Sequence, residues 1–439
     1  MKFLIVYKKY MKMKSSKYNI YTTSDDRYYV YNQLTGAFSE VDDELFRCLK
    51  QNSCLEGFPQ ELIDELKNSH FICDEHLVEE NVILRINREM RYGNHNARIT
   101  ILPTVDCNFK CWYCYENHIE SAMNQHTVDS IILFIENLFK ENRLDSFHLD
   151  WFGGEPLLLF NEVIYPISKS VLQLCLENNV LFLHSITTNG YLITDAMIDK
   201  MNEIKLNSFQ ITLDGNSFYH NKTRFCKTDS NTYVRIIGNM ISLCRNIEEV
   251  RMVLRINYTP KNISTIDEIA LDFPEDVRGK IRISPQIVWQ FKKDINGIGD
   301  VIKSKLKVFA DKGYKISEGS CSFYKGGCYV ENMLQYVVNY DSNVYKCTAR
   351  DFLDLNNSIG YLEQDGRLIV NSHYYDYYQS SSFENSKCLE CNLLPSCSGT
   401  CIQKKVERHY FSCPHDAVYS SLLNRLELVI KANKNEYGE

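Results

Sequence analysis

From Arg98 onward, short apolar runs alternate with amphipathic stretches. Ile99–Leu102, His148–Phe152, Leu181–Thr187, Phe209–Leu213, Val253–Asn257 and Ile281–Ser284 read as strands. Between the first two, Val128, Ile131, Ile132, Ile135 and Leu138 recur at the three- and four-residue spacing of one helix face. Further helices are expected around 161–176, from about Asp195, over 233–244 and around 264–272. Strands alternating with helices imply parallel βαβ units. Six units fall short of the eight that close a barrel. The expected fold class is therefore α/β, a partial (β/α)6 TIM-like barrel over 96–314.

The flanks have other patterns. Tyr18–Thr23 and Tyr28–Tyr31 are aromatic, β-prone and separated by the turn-like Ser24-Asp25-Asp26. Asp42-Asp43-Glu44 opens an apolar-periodic stretch at Leu45, Phe46, Cys48 and Leu49. Pro59 stands near the start of a second helix with Leu62, Ile63 and Leu66 on one face, and Phe71-Ile72 begins an extended segment. Residues 1–95 thus suggest a winged-helix-like module, or an extension that only packs on the main domain. After Lys315 the alternation fades, turn residues multiply, and 315–439 reads as a small cysteine-rich domain with a core supplied by metal.

The chain has 439 residues, 44% apolar and 24% charged, with a net charge of −7. Nothing basic enough for nucleic-acid binding stands out. No apolar run is long enough to span a membrane, and Phe3–Tyr7 is too short for a signal-peptide core. Cysteine changes the picture: there are 17, an odd number in a long chain. That favours metal binding inside the cell, in the cytoplasm, over a disulfide scaffold. Three lie at 107–114 and eight at 321–413; Cys48, Cys54, Cys73, Cys175, Cys226 and Cys244 are scattered and read as buried thiols.

Cys107-Asn-Phe-Lys-Cys111-Trp-Tyr-Cys114 follows the first barrel strand, on the face where βα barrels place active sites. Three thiolates on one tight loop can bind three irons of a four-iron cluster and leave the fourth open. A structural zinc site with a distant fourth ligand is the alternative. Gly153-Gly154-Glu155-Pro156 follows the second strand. Its glycines would let backbone approach a ligand, and its carboxylate could accept from an ammonium. Ser185-Ile-Thr-Thr188-Asn189-Gly190 closes the third strand. Thr212-Leu-Asp214-Gly215 closes the fourth, followed by His220 and Arg224, and Arg255 and Asn257 end the fifth.

The C-x3-C-x2-C spacing, with Tyr113 before the third cysteine, resembles the radical S-adenosylmethionine superfamily. The resemblance covers about residues 98–415. It implies that Cys107, Cys111 and Cys114 hold a [4Fe-4S] cluster whose open iron chelates S-adenosylmethionine. It also implies contacts to that cofactor from Tyr113, Gly153, Gly154, Glu155, Pro156, Thr188, Asn189, Asp214, Arg224 and Asn257, with Asp214 accepting from the ribose. Cys388-x2-Cys391-x5-Cys397-x3-Cys401 and Cys413, preceded by Cys321, Cys328 and Cys347, resemble the SPASM domain. That likeness implies two auxiliary clusters, three [4Fe-4S] in all. One would sit on Cys321, Cys328, Cys347 and Cys401, the other on Cys388, Cys391, Cys397 and Cys413. A zinc ribbon is the alternative there.

Two departures narrow the resemblance. Family members often carry Gly where Ser342 stands, and Asp341, Ser342 and Asn343 are expected to keep that turn. In sulfatase maturases an Asp proposed as the base follows the cysteine matching Cys347; here it is Thr348, unless Asp351 substitutes. Val30-Tyr-Asn-Gln-Leu-Thr-Gly36 resembles maturases of ribosomally made peptides, whose winged-helix modules take a leader peptide as an added strand. The resemblance therefore implies a peptide-modifying oxidoreductase, partnered by a precursor peptide with its leader and a one-electron reductant such as flavodoxin or ferredoxin. Nucleic acid and membrane are not expected partners. The alternatives are sulfatase maturation, small-molecule radical chemistry, or a non-catalytic electron-transfer or zinc-binding protein. The catalytic base is not assigned.

Overall fold

The computed structural model describes residues 12–436 except 54, 56, 227, 292–297, 318–327, 398, 400 and 409–412. Cys54, expected as a buried thiol, and Cys321, expected as a cluster ligand, lie outside the described residues. The chain divides into two compact units, each of more than one segment. The first combines residues up to 93 with described parts of 319–333 and 376–439; the second combines described parts of 94–318 with 334–375.

In the first unit, β1 (Met13–Ser15) is followed by the antiparallel sheet of β2 (Asn19–Ser24), β3 (Arg27–Asn32) and β4 (Phe38–Val41). Asp25 and Asp26 both take positive φ, the turn that suits a two-residue hairpin between Ser24 and Arg27. α1 (Asp43–Gln51) is capped by the Asp42 carboxylate, which accepts from Leu45 N–H. α2 (Gln60–Asn68) starts directly after Pro59, and β5 (Ile72–Asp74) pairs antiparallel with β1. Val30, Leu45, Phe46, Leu49, Leu66, Phe71 and Ile72 form the core between these elements. A third helix, α3 (Glu79–Tyr92), escaped the sequence reading because its buried stripe is Glu79, Ile83, Asn87 and Arg91, mostly polar. Tyr18 and Ile83 pack with Phe383, Cys388 and Leu394, so late residues share a core with early ones.

The second unit is built on one large sheet. Its strands are β6 (Asn96–Ile101), β8 (Ser146–Trp151), β9 (Leu181–Thr188), β10 (Ser208–Leu213), β12 (Arg251–Tyr258) and β13 (Ile281–Ile287), adjacent in chain order and all parallel. These are the six expected strands. Two short strands lie outside this sheet, β7 (Phe109–Cys111) and β11 (Arg224–Cys226), which pair with each other. β14 (Lys315–Ile316) is added beyond β13. At the other side, β15 (Gln335–Val338) continues the sheet parallel to β6, and β16 (Asn343–Tyr345), β17 (Gly360–Leu362) and β18 (Leu368–Val370) extend it antiparallel.

These last strands correct one expectation. Residues 335–370 belong to the large sheet and share an apolar core with the segment leading to the cysteine loop, Leu102 and Val105 packing on Val337, Tyr345 and Phe352. Their runs are short and interrupted by turns, which masked them. Ser342 takes a φ of 70° in the turn between β15 and β16, so this position does call for a left-handed residue. The helix expected at 161–176 comes in three pieces: a 3-10 turn Pro156–Leu159, a π turn Phe160–Ile164 and α-helix Tyr165–Glu177. The segment expected as a helix at 264–272 is a 3-10 helix, Ile263–Leu271. Cys48, Cys73, Cys175, Cys226 and Cys244 are buried.

Candidate active site

The cysteine loop leaves the C-terminal end of β6 and is held in place by backbone. Its middle forms β7, and antiparallel pairing sets Cys111 opposite Arg224 of β11. The Cys107 sulfur accepts from Phe109 N–H at 3.4 Å, and Cys114 N–H donates to the Cys111 carbonyl at 3.1 Å. Burial raises the thiol pKa of all three cysteines. A bound metal reverses this, because coordination deprotonates a thiol.

Tyr113 pins this loop to the strand ends. Its hydroxyl donates to Asp214 Oδ1 at 2.9 Å and accepts from Arg224 at 2.9 Å and Asn257 at 3.0 Å. Arg255 Nε in turn donates to Asn257 Oδ1 at 2.9 Å. The indole N–H of Trp289 and the amide of Gln290 both donate to the Tyr113 carbonyl, at 3.2 and 3.3 Å. Burial pushes the Asp214 carboxyl up to about 6, against the pull of the Arg224 charge. Burial pulls the Arg255 guanidinium down.

The Gly153–Pro156 segment serves the loop more directly than expected. A Cβ on Gly154 would lie 2.1 Å from the Asp106 carbonyl oxygen, and one on Gly153, at a φ of 112°, would lie 2.4 Å from that of Thr104. The glycines thus let one backbone approach another. Glu155 is fully buried; its carboxylate accepts from Thr188 Oγ1 at 2.7 Å, Asn189 N–H at 2.8 Å and Leu157 N–H at 3.0 Å. It caps the following 3-10 turn, with Pro156 at the first position. Asn189 reaches the cysteine loop through Asn108 Oδ1 at 2.8 Å.

A cavity of roughly 280 Å³ opens beside the three cysteines. Of the expected cofactor contacts, Tyr113, Gly153, Gly154, Thr188, Asn189, Arg224 and Asn257 line it; Glu155, Pro156 and Asp214 stand behind that wall. Thr212, from the segment closing the fourth strand, also lines it, as do Gln210 and Gln286, which were missed. Gln210 and Thr212 share the face of Asp214 by the period of two, and Gln286 lies past the expected end of its strand. Glu116 and His118, just past Cys114, also line it. His220 is buried off the cavity, with neither ring nitrogen hydrogen-bonded.

The donor set fits a cluster. Three thiols sit on one pinned loop next to a cavity, and Arg224 Nε is buried there without a partner. Among the described residues no three His, Cys, Asp or Glu side chains converge on a single-ion site. A four-iron cluster does not require that, since each thiolate binds its own iron.

Of the later cysteines, Cys347 lies in the second unit, with its sulfur accepting from Ala349 N–H at 3.4 Å. Cys328, Cys388, Cys391, Cys397, Cys401 and Cys413 lie in the first. Burial raises the Cys388 thiol, and the nearby Cys397, Cys413 and Cys391 push it further. Cys388 and Cys397 are each within electrostatic reach of Cys391 and Cys413.

The parallel sheet and its cysteine loop define a radical S-adenosylmethionine domain: residues 101–271 match the sequence pattern of the Radical SAM superfamily. The chain is 23% identical to the radical SAM cyclopropyl synthase TigE of Paramaledivibacter caminithermalis, over 90% of each protein. It is 25% identical to the cysteine-type anaerobic sulfatase-maturating enzyme of Clostridium novyi, over 68% of this chain and 86% of that one. Its fold is similar to that of anSMEcpe with bound S-adenosylmethionine, at a TM-score of 0.58 and 16% identity over 78% of this chain and 96% of that one. It is also similar to Streptococcus suis SuiB bound to S-adenosylmethionine, at 0.51 and 16% over 90% and 98%. The chain thus carries a radical S-adenosylmethionine domain over 101–271 and is related to a radical SAM cyclopropyl synthase and to a sulfatase-maturating enzyme. No described helix is long and apolar enough to cross a membrane.

Proposed function

We propose that this protein modifies a ribosomally made precursor peptide by radical chemistry, forming a crosslink or oxidising a residue. The observation that carries this reading is the pinned three-cysteine loop at the C-terminal rim of the sheet, opening on a cavity walled by Gly153, Gly154 and Asn257. The relative named for sulfatase maturation supports a peptide or protein target. Cys107, Cys111 and Cys114 would hold the [4Fe-4S] cluster, and the cavity would take S-adenosylmethionine. Together these would supply a 5′-deoxyadenosyl radical when an external one-electron donor such as flavodoxin or ferredoxin is present.

This chain's own residues provide positioning and exclusion of water. Tyr113, tied to Asp214, Arg224 and Asn257, fixes the loop's orientation. Glu155 braces the ends of β8 and β9 from behind the cavity. The eight later cysteines would hold two auxiliary clusters in a SPASM domain, able to take up an electron from the product radical. The N-terminal module would hold the leader.

Sulfatase maturation is the weaker reading. Thr348 stands where that chemistry is proposed to use an Asp, and both Asp351 oxygens are engaged, by Asn117 at 2.6 Å and Leu353 N–H at 3.0 Å. The test is anaerobic incubation of the reconstituted enzyme, S-adenosylmethionine and dithionite with synthetic peptides encoded by short reading frames beside the gene. A mass change in one of them is expected. Unchanged peptides alongside conversion of a sulfatase-derived peptide would refute the proposal.

A further inference from the structure

We infer that Glu116 is a substrate-binding residue, accepting a hydrogen bond from an N–H or O–H of the peptide being modified. The inference rests on the peptide reading above and deepens it. Among the described residues lining the cavity, Glu116 is the one carboxylate. Its side chain is 8% exposed, and Oε1 is buried with no hydrogen-bond partner. A buried acceptor left unmade is costly, so such a group in a cavity wall points to a donor that arrives with a ligand.

The surroundings indicate which ligand. The carboxylates behind the loop are satisfied: Glu155 by three donors and Asp214 by Tyr113. Glu116 belongs to a different wall. Its neighbours Tyr115 and Asn117 reach the segment after Cys347: Tyr115 donates to the Thr348 carbonyl at 2.9 Å, and Asn117 donates to Asp351 at 2.6 Å. Glu116 interacts with its neighbour Tyr115 and with the charges of His118 and Asp351. His118 is itself turned to the Val105 carbonyl, 2.7 Å from its Nδ1. Glu116 therefore lines the cavity between two neighbours, Tyr115 and Asn117, that tie this stretch to the Thr348 segment. With Thr348 in place of a carboxylate and Asp351 tied down, Glu116 is the acid this cavity offers to a second substrate.

The test compares wild type, Glu116→Ala and Glu116→Gln as reconstituted holoenzymes. The probes are S-adenosylmethionine alone and the full-length synthetic peptide from the reading frame beside the gene. For Glu116→Ala, iron content, S-adenosylmethionine affinity and peptide-free 5′-deoxyadenosine formation should stay within about twofold of wild type. Its kcat/KM for the peptide should fall by about 10- to 100-fold, the range for a hydrogen bond to a charged group. Glu116→Gln keeps an acceptor oxygen and should recover most of that loss. Equal peptide kinetics in Glu116→Ala and wild type would overturn the inference, as would loss of S-adenosylmethionine binding, which would make Glu116 a cofactor ligand. A wild type that forms 5′-deoxyadenosine but leaves the peptide unmodified would instead overturn the peptide reading, and the inference with it.

Discussion

Adding one methyl group at Gly154 should loosen the cysteine loop. The Cβ of a Gly154→Ala variant would sit 2.1 Å from the Asp106 carbonyl oxygen, where ordinary contact begins at 3.4 Å, a shortfall of about 1.3 Å (3.4 − 2.1). It would also meet the Asp106 carbonyl carbon and the Val105 oxygen, each at 2.6 Å. These are backbone atoms, so no side chain can swing aside. Separating the two backbones weakens Glu155 N–H to Asp106 O, at 2.8 Å, and Gly154 N–H to Thr104 O, at 3.2 Å. Overpacking costs about 1–3 kcal/mol, and the two weakened hydrogen bonds add about 1 kcal/mol each. The sum is roughly 3–5 kcal/mol, which corresponds to a fall of roughly 6–20 °C in melting temperature for a unit of this size. Calorimetry of the apo-protein measures the fall, and iron per chain after anaerobic reconstitution measures the damage to the loop. A variant melting within about 2 °C of wild type, with full iron loading, would refute the packing argument.

Other sites give further expectations. Tyr113→Phe removes a hydroxyl shared by Asp214, Arg224 and Asn257 and leaves Asp214 buried without that donor. Denaturant unfolding of the apo-protein should show a loss of about 2–4 kcal/mol; a loss below about 0.5 would contradict the pinning role. His184 is buried, accepting from Trp151 at 2.8 Å, with its other nitrogen 3.0 Å from the Ile204 carbonyl, and burial pulls its pKa down to about 4. Because the folded value is depressed, its contribution is whole above the unfolded pKa of about 6.5 and is lost as pH falls toward 4. Wild type should lose about 3 kcal/mol more than His184→Gln between pH 7 and pH 4; parallel pH profiles would refute this. Ser342→Gly relieves a left-handed backbone but gives up the hydroxyl contact with Thr127 at 3.1 Å. It should gain up to about 1 kcal/mol, and a clear drop in melting temperature would show that the hydroxyl contact outweighs the strain.

The parallel strands were legible because each is a compact apolar run with a helix pattern behind it, and polar residues at their ends marked one rim. The cysteine spacing marked the loop. What stayed hidden depends on contacts between distant segments. Nothing local in Phe109–Cys111 or Arg224–Cys226 shows that they pair. The Gly153–Gly154 pair lines the cavity as well, but its close approach to the 104–106 backbone on the other side has no sequence signature. The resemblance implied a ribose contact for Asp214; that Asp214 also accepts from the Tyr113 hydroxyl could not be read from the sequence. α3 was missed because Asn87 and Arg91 hold buried positions where apolar residues would have signalled a helix. Glu116, two residues past the cysteine motif, had no role, since burial and an unpartnered oxygen have no signature in sequence.

The most direct test is 5′-deoxyadenosine formation from S-adenosylmethionine, followed by liquid chromatography under anaerobic conditions with dithionite. Reconstituted wild type should produce it, and a variant with Cys107, Cys111 and Cys114 all replaced by Ala should not, while still folding as judged by circular dichroism. Equal 5′-deoxyadenosine from the folded triple variant, or none from an iron-loaded wild type, would contradict the assignment of the cluster to these three cysteines.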